Sequence, residues 1–125
     1  MKYISDPSIC SRTTALALAG ALLAGQAGAM SLREFQALEM NDQQGEHYAN
    51  YYLIGVMEGA LEAHQHAARK GAKAIICLKG GSLEPHMARQ LYDAERQHNA
   101  GVYEADMPVA LVMTNALARV YPCQN

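Results

Sequence analysis

Cys77 and Cys123 stand 46 residues apart in a chain whose front end reads as a removable leader, and together they limit what the remainder can fold into. Lys2 and Arg12 make a positive start, residues 13–25 form an uncharged run built mainly from Ala and Leu, and Ala27-Gly28-Ala29 supplies the small residues of a cleavage site. The run is roughly a dozen residues, short of the ~20 that span a bilayer as a helix, which disfavours the alternative of an uncleaved anchor. Cleavage after Ala29 would remove Cys10, start the mature chain at Met30 and leave 96 of the 125 residues. An even pair of cysteines in an oxidising compartment predicts a disulfide, with two free thiols as the alternative. Ninety-six residues suffice for one domain with a modest core, so residues 30–125 are expected to form a single domain. Closing the loop between the cysteines is worth roughly 4 kcal/mol on a chain-entropy argument.

Charge narrows the function classes. Of 10 basic and 12 acidic residues, Lys2, Arg12 and Asp6 leave with the leader, so 8 and 11 remain and the net charge is −3. A nucleic-acid binder would need a basic face, and a peripheral membrane protein a polybasic patch. The expected product is a soluble, extracytoplasmic single domain with neither partner.

Capping and periodicity predict four helical segments. Ser31-Leu32-Arg33-Glu34 is a capping-box pattern, followed by Phe35 and Leu38 as an apolar edge and by a break at Asn41-Asp42. The longest helix is predicted over about 46–70, with Tyr48, Tyr51, Tyr52, Val56, Gly59, Ala60 and Ala63 on its buried side. Gly55 and Gly59, four apart, predict close packing within the fold, and Gly71 closes the helix. Ser82 is predicted to cap the third helix, with Glu84 and Pro85 in its first turn and Met87, Ala88, Leu91 and Tyr92 as its apolar stripe. Asp106 is predicted to cap the fourth, begun by Met107-Pro108, along which Val109, Val112, Met113, Ala116, Leu117 and Val120 repeat at three-four spacing. Residues 74–77 carry the one strand signal, without a partner. The prediction is an all-α domain of four to five helices with one disulfide, Cys77 to Cys123, pinning the last two helices together.

Catalytic constellations are not apparent. His64 and His66 point roughly 200° apart on a helix and cannot share an ion, while His47, His86 and His98 are scattered, so no metal and no cofactor is expected. Ser31 and Ser82 read as caps, Glu58 and Glu62 as a solvated face, and Gly80-Gly81 lacks the Lys of a phosphate loop. The chain therefore reads as no enzyme. Seven tyrosines beside one Phe and no Trp suit protein contacts. Tyr48, Tyr52 and Tyr92 read foremost as core residues. Tyr103, in a loop beside Glu104 and Asp106, is expected to be exposed and is as readily an interface residue as a packing one.

An aromatic helix reading Tyr51-Tyr52-Leu53-Ile54-Gly55-Val56-Met57-Glu58-Gly59-Ala60, a following Cys in a Gly-bearing loop, and a final Ala116-Leu117-Ala118-Arg119-Val120-Tyr121-Pro122-Cys123 together resemble the Rap/Tai family of small periplasmic proteins. The resemblance covers about residues 48–123. It departs where the third helix turns into its loop, at His98-Asn99-Ala100-Gly101, a point at which family members often carry Pro. Many members are immunity proteins of type VI secretion. The resemblance implies a homodimer that inserts a loop into the cleft of a secreted peptidoglycan amidase and blocks it sterically. That loop would span about 99–106 here, making Asn99, Gly101, Val102, Tyr103, Glu104 and Asp106 the partner-binding residues. The alternatives are a periplasmic acid-stress chaperone, which would expose apolar surface as its carboxylates protonate, or another envelope role for the same fold.

Overall fold

A computed structural model describes residues 28–124. The leader expected over 1–29 lies outside the described residues apart from Gly28 and Ala29. Four helices follow: α1 (Leu32–Met40), α2 (Gln43–Arg69), α3 (Met87–His98) and α4 (Val109–Val120). The described residues contain no strand, only isolated bridges at Ser31–Pro108 and Ile76–Pro122, so the domain is all-α.

The capping box forms as its residues predict. Ser31 Oγ accepts from the Glu34 N–H at 3.3 Å, while the Glu34 carboxylate accepts from the Ser31 N–H at 2.7 Å. That reciprocity holds the Glu34 carboxyl below its ordinary range. Leu32 and Phe35 go into the core. Asp42 both separates α1 from α2 and caps α2, its side chain accepting from the Gly45 N–H at 2.8 Å, so α2 begins three residues earlier than its apolar pattern indicates. Gly45 sits in the tight corner between the two helices, and a Cβ there would run into the Leu38 carbonyl. At the far end Gly71 takes φ +97°, its N–H donating to Ala68 O and that of Ala72 to Ala67 O, a Schellman closure.

The long helix α2 packs against each of the other three. Its buried stripe is Gly45, Ala49, Leu53 and Met57. The predicted face is therefore rotated: Tyr52, Val56 and Ala60 flank the core, but Tyr48 and Tyr51 are 59% and 73% exposed. Gly55, Gly59 and Ala63 are exposed too, and a Cβ on either glycine would meet nothing within 4 Å. Leu53 and Met57 can be buried entire, whereas a tyrosine must keep its hydroxyl wet or bonded, so the aliphatic set wins the interior.

The helix starts downstream also differ from expectation. Ser82 caps nothing: residues 84–87 form a turn in which the Met87 N–H donates to Glu84 O, and α3 begins at Met87 without a side-chain cap. Asp106 likewise leaves α4 uncapped and pairs with Arg33 at 2.9 Å. The first N–H of α4, on Val109, instead donates to Met30 O. The apolar stripes of α3 and α4 match prediction in both registers, except that Val120 lies 44% exposed.

Two features close the structure. Phe35, fully buried, meets Tyr92 edge-on at 5.1 Å between centroids and Tyr52 at 6.0 Å, with the Arg89 guanidinium 5.6 Å above its ring. The Cys77–Cys123 disulfide, with Cα atoms 4.9 Å apart, ties the chain beyond α4 to the connector ahead of α3. Beside it the Cys77 N–H donates to Tyr121 O at 2.8 Å. His64 Nε2 accepts from the N–H groups of Ile75 and Ile76, which holds the connector on α2.

Candidate functional site

The α3–α4 loop, 99–106, is fastened at both ends. At its start Glu95, on the inner face of α3 and 2% exposed, is the buried charge among the described residues. Its Oε1 accepts from Asn99 Nδ2 at 2.6 Å and from the Tyr103 hydroxyl at 2.7 Å, and its Oε2 accepts from Arg119 Nε at 2.7 Å. Asn115 on α4 donates in turn to the Tyr103 oxygen at 3.0 Å. At its end the N–H groups of Leu32 and Arg33, which the first turn of α1 leaves without helical partners, donate to Met107 O and Ala105 O, both at 2.9 Å.

These anchors sort the residues that the resemblance proposes. Asn99 and Tyr103 turn inward: Tyr103 is half-buried with its hydroxyl occupied, which corrects its reading as an exposed loop residue. Burial and the adjacent Glu95 carboxylate raise its phenol above the ordinary value. Gly101 supplies the turn with φ +86°, and Val102 stands 62% exposed at its tip. Glu104 is exposed as well, and Asp106 is held outside by Arg33. The loop thus presents an apolar tip with an acidic shoulder on a backbone tied to three helices.

Glu95 and Arg119 escape sequence reasoning, since a lone Glu in a polar helix reads as solvated. The available signal is its register: 88, 91, 92 and 95 share one helical face, so Glu95 continues the apolar stripe and needs a partner. Burial pushes its carboxyl up, but the hydrogen bonds from Tyr103, Arg119 and Asn99, with the charge of Arg119, together outweigh burial and hold it below the ordinary glutamate value of about 4.5. A lowered carboxyl stabilises the fold in full above the unfolded value, and that stabilisation is lost as pH falls through the folded one. The urea midpoint of the wild type is therefore expected to exceed that of Glu95→Gln most above about pH 4.5, with the gap narrowing as pH drops further.

Two other surfaces stand out. Arg89 donates to Glu39 at 2.6 Å and Asn50 at 2.8 Å, joining α1, α2 and α3 along a polar groove of about 400 Å³. A shallow apolar groove of about 480 Å³ runs between α2 and α4, lined by Val56, Gly59, Ala60, Ala63, Ala110 and Thr114, with His64 at its end. Among the described residues no cluster of His, Cys, Asp and Glu has the makings of a metal site. No helix among them is long and apolar enough to cross a membrane.

Fold and site define a class: the described residues form a small all-α domain of four helices, pinned by the Cys77–Cys123 disulfide and presenting a braced loop. In comparison with known proteins the chain matches no family model, no curated protein and no solved structure.

Proposed function

We propose that this chain is a periplasmic binding protein without chemistry of its own, a Rap/Tai-like immunity protein that occludes the cleft of a type VI secreted peptidoglycan amidase. The observation that carries the reading is the braced 99–106 loop, with Val102 projecting at its tip. A loop ordered before it meets its partner loses little conformational entropy on binding, and an exposed apolar side chain flanked by polar groups makes an effective anchor. Gly101, Val102 and Glu104 are the contact residues in this reading, while Asn99 and Tyr103 hold the loop in place. The resemblance adds a homodimer as the inhibitory form, and a leader ending at Ala29 adds the compartment.

The test uses the oxidised chain 30–125 as bait for the product of the adjacent gene, followed by an assay of peptidoglycan amidase activity. Capture of a hydrolase and loss of its activity are expected. Val102→Asp and Glu104→Ala should together weaken inhibition by about 2 kcal/mol or more, some thirtyfold, without lowering the melting temperature. No captured hydrolase, or inhibition untouched by both changes, would remove the proposal.

One observation favours a second reading, an acid-stress chaperone. Protonating Glu95 would strip Arg119 of its partner and free the loop. Retention of unfolded clients at about pH 3, and none at neutral pH, would replace immunity with that role.

A further inference from the structure

We propose that Glu95 is the positioning residue of the 99–106 loop, a latch that holds Tyr103 and Asn99 against α4 while its carboxylate is charged and releases them when that charge is removed. The groups that face it are Asn99 at the C-cap of its own helix, Tyr103 from the loop, and Arg119 and Asn115 from α4. Arg119 is the other charged member. The carboxylate occupies a position that no neutral side chain reproduces, because both oxygens accept and three donors converge on them. Glutamine in its place keeps one acceptor oxygen, which the Arg119 cation takes, and so turns an amide donor toward Asn99 and Tyr103. The loop side of the latch then loses its hold.

The downstream half of the loop stays fastened to α1 through Leu32 and Arg33, so release is local and centres on residues 100–104. Those residues include the exposed Val102, whose N–H donates to Asn99 O at 3.1 Å and so reports directly on the turn. The latch rests on the proposed function only for its use, as the device that presents Val102 and Glu104 in one geometry.

Amide hydrogen exchange on the free oxidised chain tests it. In Glu95→Gln, the amides of 100–104 are expected to exchange about tenfold faster or more, while those of the α2 core residues stay within about twofold of wild type. Should Glu95→Gln fail to fold, the variant Asn99→Ala with Tyr103→Phe decides, because it removes the loop-side donors and leaves the Glu95–Arg119 pair intact. It too is expected to loosen the loop alone. Unchanged loop exchange, or a rise spread equally over α2, overturns the latch and leaves Glu95 an ordinary structural pair. Exchange is read without any partner, so this outcome is independent of whether the chain inhibits an amidase.

Discussion

Removing the disulfide through Cys77→Ala with Cys123→Ala is expected to destabilise the domain by roughly 4 kcal/mol, read from urea unfolding at neutral pH. The two cysteines are 46 residues apart, so the open chain regains the entropy of a long loop that encloses α3, the 99–106 segment and α4. The native neighbourhood has little to offset that gain. Apart from the disulfide, the backbone tie between the chain beyond α4 and the connector is the isolated Ile76–Pro122 bridge, of which the Cys77 N–H bond to Tyr121 O is part. Domains of this size have only about 5–15 kcal/mol of stability in all, so the reduced protein is expected to be marginal at physiological temperature. An unfolding free energy within about 1 kcal/mol of wild type would show that packing of Ile76 and α4 suffices without the covalent tie.

Phe35→Ala is expected to cost about 3–5 kcal/mol, measured the same way. Phe35 is the single phenylalanine of the chain, lies fully buried, and is where α1 meets Tyr52 of α2 and Tyr92 of α3. Truncation leaves a cavity between two tyrosines and removes the ring beneath the Arg89 guanidinium. Phe35→Leu should recover most of the loss, since it restores much of the volume though not the aromatic edge contact. The effect reaches the loop as well. The first turn of α1 supplies the Leu32 and Arg33 N–H groups that fasten 105 and 107, so a loosened α1 also loosens the end of the site.

Part of the site was legible before folding was considered. The 99–106 segment stands out as a loop because the helical pattern lapses between two apolar stripes, and Asn99, Gly101 and Asp106 mark its turns. Which of its side chains face outward was not legible. Tyr103 reads equally as a contact or a packing residue until Glu95 and Asn115 are brought beside it from positions 8 before and 12 after it. Similarly, Tyr48 and Tyr51 read as core on helical spacing alone, since a helix carries several overlapping apolar arcs and only its neighbours choose among them. Caps were lost for a related reason. Ser82 and Asp106 are good capping residues, but Pro85 starts a turn after the first and Arg33 draws away the second.

Local physics acting within a few residues settled the helical class, the capping box at Ser31 and Glu34, the Gly71 closure and the three-four stripes of α3 and α4. The pairing expected of Cys77 and Cys123 is the one that forms. Contacts between residues far apart in the chain decided the rest. The rotation of α2, the clamp of α1 on the loop and the burial of Glu95 all depend on which surfaces meet. A carboxylate can be taken from water only where Arg119, Tyr103 and Asn99 arrive together, and that convergence exists only once α3 and α4 have packed.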